Sequence, residues 1–558
     1  MDIGAEKFGE LISECSEIKS TSELEEKFYI QKYKLNAESC FINDKDIEDL
    51  LIFGKENKFL IEADAFSQKN DFVIFRNAVN TVANTISNSN IIITGDLGNG
   101  KSIFIKECLP ILSSAYGDVY FIDDPYIDHI YEIEKICKQN DNIKIFVIEN
   151  YYLYIDLLSY FAPFNTTKIR FILTSRSGKH EKIKGQLESI NFLYKEICID
   201  ILKNGERLAI SNLIDSVGFW GDTFITDTDK IKFIDKKCRG QFASLLLGLL
   251  DSKVIKDKVK KLIERLIEKD DDLKKATVTC LFVCMHDVKV DLSLLSTLAG
   301  NCIYDSNIIN NESFREIFHT VRGDFDSISS IFCQKVIKDF VPSKYITQIL
   351  LDISKKLDKR KKSMVEDTIF KSCFKFSTIE RIISDDDKLK NIIDYYEKLK
   401  RALPWLSQDP HFWVQYAMGY IACGEYGKAQ TFITNAYGKA KNKGNYHTNN
   451  IDTQQARLYF LVAIESEDIS TAVEYFLKGH RKLANVPNDI YKFRQIYLYE
   501  KFFQKFYSNL TNEIRNLIKC RCNELVGNLL TKSQDCDSRN DVEKQKSIDL
   551  LKNISRQL

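Results

Sequence analysis

A chain of 558 residues is too long for a single hydrophobic core, so we expect three to four domains. With 44% hydrophobic residues, 12% aromatic residues and only 7 prolines, the composition excludes a disordered chain and favours packed helices. Basic and acidic residues balance at 79 each, so the net charge does not indicate nucleic-acid or membrane binding. Without a signal peptide or an apolar run near the roughly 20 residues of a membrane span, a soluble, cytoplasmic protein with free thiols is predicted.

The chain opens with a polar segment, residues 1–70, which we interpret as an N-terminal helical or adaptor segment. Residues 71–205 then alternate short apolar runs with amphipathic helical patterns; the runs are 91–94, 119–122, 144–148, 170–174 and 196–201. Runs that are apolar throughout indicate strands buried on both faces, with crossover helices between them. We therefore predict an α/β domain with a parallel sheet and helices on both of its faces.

After residue 205 the strand signals largely end. Residues 206–268 have the pattern of a small helical bundle, and residues 269–345 that of a winged-helix-like module. Within this module, FREIFHTVRGDFDSISSIF is predicted to hold a β-hairpin. Residues 346–558 fit helices throughout, so the second half is predicted to be all-α.

A phosphate-binding motif follows the first strand of the α/β domain. IIIT leads directly into Gly95-Asp96-Leu97-Gly98-Asn99-Gly100-Lys101-Ser102, and a helical pattern follows, which is the P-loop motif in its required context. The glycines let backbone N–H groups turn toward phosphate oxygens, and the helix end adds a partial positive charge. Lys101 would reach the β- and γ-phosphates of ATP or ADP, and Ser102 would hold Mg²⁺.

An acidic residue on a neighbouring strand must complete such a metal site. Glu149 ends the strand KIFVI, whereas Asp123-Asp124 end the strand VYFI. Residue type favours the aspartates, but chain order favours Glu149, which we predict as the second Mg²⁺ ligand and catalytic acid. Asn150 stands where a catalytic acid is often found, and an amide cannot take a proton from water. Slow hydrolysis, suited to a switch, is expected.

The strand at 170–174 ends in Thr174-Ser175-Arg176. A cation at this strand end would lie beside the γ-phosphate, so we predict that Arg176 senses it. The alternative is a surface arginine at a helix end. No residue pattern distinguishes ATP from GTP.

These motifs together resemble the STAND ATPases, signal-transducing P-loop proteins that include plant resistance and apoptotic ATPases. The resemblance spans roughly residues 72–345 and rests on GDLGNGKS, on IFVIEN followed by FILTSR, and on the helical continuation. It implies that 206–268 form a helical lid, with CRGQFASLLLGLL as the lid segment, and that a winged helix follows. Met285-His286-Asp287 looks like the family's nucleotide-sensing triplet, but it begins rather than closes the winged helix. We interpret it as a helix-terminal His-Asp pair.

The C-terminal half contains a repeat signal. Trp413, Tyr420, Ala429 and Ala436 are spaced like signature positions of the tetratricopeptide repeat (TPR), and Ala472 marks a degenerate second copy after an inserted loop, NKGNYHTNN. Such arrays present a concave face that binds a protein or peptide, and the alternative is an array that only packs on the ATPase domain. The basic run at Lys355-Lys356 and 359–362 favours a solvated helix face over nucleic-acid contact.

The sequence pattern of the C-terminal half, as in HFWVQYA and NIDTQQARLYF, is similar to that of bacterial STAND proteins of anti-phage defence. The resemblance implies a trigger protein on the repeats, such as a phage-encoded one. It also implies a homo-oligomer on activation and an effector that is separate or recruited through the N-terminal segment. The alternatives are a STAND-type transcription regulator, which would need a DNA-reading helix–turn–helix, and a P-loop motor or remodelling ATPase.

Overall fold

The structure is a computed structural model, and it describes residues 30–35, 41–122, 129–139, 142–164, 168–221, 224, 226–268, 270–286, 292–300, 303, 306–318, 320–321, 324–325, 329–358, 362–444, 446–530 and 539–558. Four of the predictions above fall wholly or partly outside these ranges: the N-terminal segment, of which residues 1–29 and 36–40 are not described, the role of Asp123-Asp124, the position of Asp287, and the basic residues 359–361. None of the helices within these ranges is long and apolar enough to span a membrane.

A six-stranded sheet forms the centre of the N-terminal half. Its strands are β1 (Ile30–Lys32), β2 (Asn90–Thr94), β3 (Val119–Ile122), β4 (Lys144–Ile148), β5 (Ile169–Ser175) and β6 (Tyr194–Cys198), in the order β1-β3-β4-β5-β2-β6. Strands β2 to β6 pair in parallel, as predicted. The prediction of a parallel sheet is wrong at one edge, where β1 pairs with β3 antiparallel. Three residues are too few to produce a periodic signal.

Both faces of this sheet are covered. Ile91 and Ile93 belong to one apolar cluster and Ile92 to another, because successive side chains of a strand point to opposite faces. The helices of this half are α1 (Asp44–Phe53), α2 (Lys58–Ser67), α3 (Ala78–Thr85), α4 (Lys101–Tyr116), α5 (Ile130–Cys137), α6 (Ile155–Phe161) and α7 (Ser177–Ser189). Helices α3 and α4 contribute to the first cluster, and α5, α6 and α7 to the second. The predicted α/β layers are present.

A helical region follows the sheet. Its helices are α8 (Asn204–Ser216), α9 (Asp227–Lys232), α10 (Phe242–Leu250), α11 (Lys253–Ile267), α12 (Asp271–Cys284), α13 (Leu292–Ala299), α14 (Ser306–Ile309), α15 (Glu312–Ile317) and α16 (Ser330–Phe340). A two-stranded hairpin, β7 (Thr320–Val321) with β8 (Asp324–Phe325), lies where a hairpin was predicted. The winged-helix assignment of 269–345 and the domain boundaries stay predictions.

The remaining helices form the C-terminal array. They are α17 (Ser343–Asp358), α18 (Met364–Ser372), α19 (Phe376–Ile382), α20 (Lys388–Ala402), α21 (Pro410–Ala422), α22 (Tyr426–Lys441), α23 (Asn449–Glu465), α24 (Ile469–Ala484), α25 (Ile490–Phe506), α26 (Asn512–Leu530) and α27 (Arg539–Gln557). Helices α21–α22 and α23–α24 pack as two successive pairs, as expected from the repeat signal. Ala429, Ala436 and Ala472 are fully buried, and Phe432 stacks on Trp413 and Tyr420.

Candidate functional site

The glycine-rich loop connects β2 to α4. Strand β2 ends at Thr94, and α4 begins at Lys101 with Gly100 at its N-cap and no side-chain cap. Gly98 and Gly100 have φ values of 76° and 75°, which only glycine adopts without strain. A Cβ on Gly98 would also overlap Cδ1 of Ile331 in α16, so this part of the loop is tightly covered. The loop therefore needs glycine at both positions for its shape.

Hydrogen bonds from polar side chains fix the glycine-rich loop to β6 and to α10. Asp200, just after β6, accepts a hydrogen bond from the Asp96 N–H at 2.5 Å and one from the Asn99 side-chain amide at 2.6 Å. The amide oxygen of Asn99 accepts the N–H of Ala243, in α10, at 2.9 Å. The Asn99 side chain thus joins the loop to α10. Any contact of Asn99 with phosphate would come from its backbone.

The predicted lysine and metal ligands converge at the start of α4. The Lys101 ammonium donates to the Asp96 carbonyl at 3.1 Å, so it lies over the loop. The Ser102 hydroxyl donates to Glu149 Oε2 at 3.4 Å. A hydroxyl and a carboxylate at this separation are the oxygen ligands that Mg²⁺ takes in nucleotide sites. These contacts bring together the residues that the sequence predicted for the metal.

The strand order bears on the choice between Glu149 and Asp123-Asp124. One strand, β5, separates β4 from β2, whereas two strands, β4 and β5, separate β3 from β2. Neighbouring strands lie about 4.8 Å apart, so the end of β3 is a full strand spacing farther from the loop than the end of β4. Asp123 and Asp124 are outside the described residues, and Glu149 remains our candidate.

Strand β5 fixes both the loop and the turn after β4. Gly95 donates its N–H to the Ser175 carbonyl at 3.4 Å and accepts from the Ser177 N–H at 3.3 Å. The N–H of Asn150 donates to Thr174 Oγ1 at 3.2 Å. Asn150 has a φ of 53°, a left-handed conformation that asparagine tolerates better than most residues. The turn after Glu149 is therefore anchored to β5.

Arg176 points to the helical region that follows. Its guanidinium donates to the backbone carbonyl of His286, just beyond the C-terminal end of α12. The His286 ring is buried and lies 2.9 Å from the Ser372 hydroxyl. Burial, aided by the charges of Arg176 and Lys375, lowers the pKa of His286 to about 3, so the ring is neutral. Arg176 thus connects the end of β5 to α12, and its role as a γ-phosphate sensor stays a prediction.

A cavity extends from the glycine-rich loop into apolar surroundings. Its loop end is lined by Gly98, Asn99, Gly100, Lys101 and Ser102. The rest of the lining is mainly apolar and includes Leu50, Leu51, Phe72, Val73, Ile74, Phe104, Ile210, Leu213 and Leu246, together with the charged residues Glu56, Arg76 and Glu107. Ligand pockets commonly combine such apolar walls with a few placed polar groups. We call these two parts the loop end and the apolar end.

Buried charges fix the walls of the apolar end. The Arg76 guanidinium donates to Glu206 Oε2 at 3.2 Å and to the Ile199 carbonyl at 2.9 Å. Asp64 Oδ2 accepts the N–H groups of Phe72 and Val73 at 3.0 and 2.9 Å. Because buried charges need partners, the Arg76 contacts hold the segment before α3 against the end of β6 and α8, and the Asp64 contacts hold it against α2.

Sequence reasoning missed the polar residues of the apolar end. Asp64, Arg76, Glu107 and Glu206 are at most 6% exposed, but they come from four separate segments. The only available signal was a charged residue at an apolar position of a helical pattern, as for Glu107 in KSIFIKECLPIL. The sequence also did not predict that Asp200 would hold the glycine-rich loop, although Asp200 follows β6, the strand next to β2.

The sheet, the loop and the helix after it define the P-loop class of fold, a strand, a glycine-rich turn and a helix in an α/β layer. No protein-family model matches the chain, and no curated protein does.

Among solved structures, the chain is similar to a Signal Transduction ATPase with Numerous Domains (STAND) protein with a tetratricopeptide repeat sensor from Pyrococcus horikoshii. The match covers 85% of this chain and 76% of that one, with 15% identity and a TM-score of 0.29. The Pyrococcus horikoshii protein belongs to the STAND class, which the sequence of this chain resembles. Chains with such a TM-score do not superpose as whole molecules, so the match adds no detail about the site.

Proposed function

We propose that this chain is a nucleotide-dependent switch that binds ATP or ADP with Mg²⁺ in the cavity formed by the loop end and the apolar end. The observation that carries the proposal is the contact of the glycine-rich loop with two other regions. Ile331 of α16 covers Gly98, and the backbone of Ala243 in α10 binds Asn99. A ligand in the loop would therefore act directly on both helices.

The physical basis is the lack of space at Gly98. Because not even a methyl group fits between Gly98 and Ile331, a change in loop shape has to displace α16 or be opposed by it. A nucleotide that fits the loop better when α16 and α10 have moved would favour the open form. ADP would hold the closed form, and exchange for ATP would open it.

Slow hydrolysis suits such a switch. In the proposed site Glu149 serves Mg²⁺, and the position of a second acid is taken by Asn150, whose amide cannot take a proton from water. The ATP state would then last long enough for assembly.

The C-terminal helix pairs are the proposed sensor. Their resemblance to anti-phage STAND proteins supports a role in bacterial antiviral defence, with a trigger such as a phage-encoded protein bound on the repeats. ATP-bound chains would form a homo-oligomer that activates an effector. This part of the proposal rests on the sequence resemblance.

Small-angle X-ray scattering of the full chain with ADP, with ATP and with a non-hydrolysable ATP analogue, each with Mg²⁺, tests the switch. We expect a larger radius of gyration with the ATP analogue than with ADP, and no difference for Lys101→Ala. Identical scattering in all nucleotide states, under conditions where binding is measured independently, would contradict the proposal.

A further inference from the structure

Four buried polar side chains connect separate segments of the α/β domain. They are Thr94 at the end of β2, Tyr151 in the turn after β4, His180 on α7 and Glu196 on β6, and none of the four is more than 5% exposed. The Tyr151 hydroxyl and His180 Nδ1 form a hydrogen bond of 2.7 Å. His180 Nε2 faces Glu196 Oε2 at 3.4 Å, and the Thr94 hydroxyl donates to Glu196 Oε1 at 2.8 Å. We call these four residues the buried polar network.

The members of the buried polar network lie close in sequence to the predicted site residues. Thr94 is the last residue of β2, immediately before the glycine-rich loop. Tyr151 follows Glu149 by two positions, and His180 lies one helical turn beyond Arg176. Because buried polar groups are stable only where they bond to one another, the network joins the start of the loop, the turn after β4 and α7.

The turn that carries Glu149 is held at two points. The Asn150 N–H donates to Thr174 Oγ1 at 3.2 Å, and the Tyr151 hydroxyl, one residue later, is bonded to His180. Asn150 has a left-handed φ of 53°, and such a conformation persists where the surrounding structure fixes it. The hydrogen bond of Tyr151 therefore limits how far this turn can move.

A metal site at this turn needs a fixed position. Ser102 and Glu149, the two predicted Mg²⁺ ligands, come from different segments and are 3.4 Å apart. Mg²⁺ takes its oxygen ligands at about 2.1 Å in near-octahedral geometry, and a site of this kind has to be held to within about 0.5 Å. Residues that orient a metal ligand from behind therefore affect metal affinity.

We propose that His180 is a positioning residue for the metal site, because its hydrogen bond to Tyr151 fixes the turn that carries Glu149. The contact of His180 with Glu196 connects the same turn to β6 and, through Thr94, to the start of the loop. This inference rests on the proposed function, since it requires Mg²⁺ bound together with a nucleotide.

Titrations of ATP with and without Mg²⁺ test the inference, because they measure the gain in ATP affinity that Mg²⁺ produces. Tyr151→Phe removes only the hydroxyl, and His180→Leu removes its partner. Each should reduce this gain by about three- to tenfold, below the effect of a direct partner of a metal ligand, and should leave Mg²⁺-free ATP binding unchanged. The double variant should lose no more than either single variant, because either substitution breaks the same hydrogen bond.

Tyr396→Phe is the matched control. The Tyr396 side chain is also buried and donates to the Phe374 carbonyl at 3.0 Å, but it lies on α20 in the C-terminal array. Thermal unfolding should show lower stability for both phenylalanine variants, since each leaves a buried hydrogen-bonding group without its partner. Only Tyr151→Phe should also lose part of the gain from Mg²⁺.

An unchanged gain from Mg²⁺ in Tyr151→Phe, an equal loss in Tyr396→Phe, or additive losses in the double variant would overturn the inference. If His180→Leu does not fold, the comparison of the two phenylalanine variants still decides the question. If the wild type binds no ATP, or gains nothing from Mg²⁺, the proposed function fails instead.

Discussion

The loop end and the apolar end of the cavity are built in opposite ways. At the loop end, backbone groups, the Lys101 ammonium and the start of α4 are supplied by consecutive residues, and Asp200 braces them. At the apolar end, the walls come from distant parts of the chain, and the charged residues Glu56, Arg76 and Glu107 lie among them.

This difference separates two tasks. A phosphate group is bound by charge and by N–H donors, which one short segment can arrange by its own backbone conformation. A base is bound by shape and by a few hydrogen bonds, which require several elements to pack together. Affinity for phosphate and choice of base should therefore respond to different substitutions.

The largest effect is expected from the loop end. Lys101→Ala removes the only ammonium at the described phosphate site and should weaken binding of both ATP and tripolyphosphate by about 100-fold, as for a charge-assisted hydrogen bond. Calorimetry with Lys256→Ala, an exposed change on α11, provides the control. Unchanged tripolyphosphate affinity would contradict the assignment of the loop.

A smaller effect is expected at the metal site. Glu149→Gln keeps the side-chain size but removes the charge that would hold Mg²⁺, so the gain in ATP affinity on adding Mg²⁺ should drop by about tenfold. Asp123→Asn, at the strand that lies one spacing farther away, should keep this gain. Titrations of ATP with and without Mg²⁺ measure both. If Asp123→Asn causes the larger loss, the metal ligand is on β3.

The smallest effect concerns the cover of the loop. Gly98→Ala and Gly100→Ala share the cost of a left-handed φ, but only Gly98→Ala also meets Ile331. We expect Gly98→Ala to reduce the free energy of unfolding by about 1–2 kcal/mol more than Gly100→Ala, as for overpacking. Adding Ile331→Ala should recover part of this difference. Thermal unfolding compares the variants, and equal loss in both glycine variants would mean that α16 does not press on the loop.

The same difference explains what the sequence could predict. The loop end was found because Gly95 to Ser102 form an eight-residue motif between a strand and a helix. Glu149 was predicted as the metal ligand because it ends a buried strand, and chain order favoured it over Asp123; this choice stays a prediction. Repeat positions such as Trp413 and Ala429 were found because their spacing is regular.

The rest depends on contacts between distant segments. Glu107 and Arg76 approach each other only after α4 has packed beside the segment before α3. No spacing in the sequence predicts this contact. Strand β1 contains only three residues, and its position in the sheet depends on antiparallel pairing with β3. The contact between Arg76 and Glu206 joins residues 130 positions apart.

Hydrogen–deuterium exchange of the full chain with and without Mg²⁺·ATP tests most directly whether one nucleotide spans both ends of the cavity. We predict protection on ATP addition in two peptides together, one covering residues 96–104 and one covering residues 72–76, with neither protected in Lys101→Ala. Protection of the loop peptide alone would place the base elsewhere. No protection of either peptide would contradict the account as a whole.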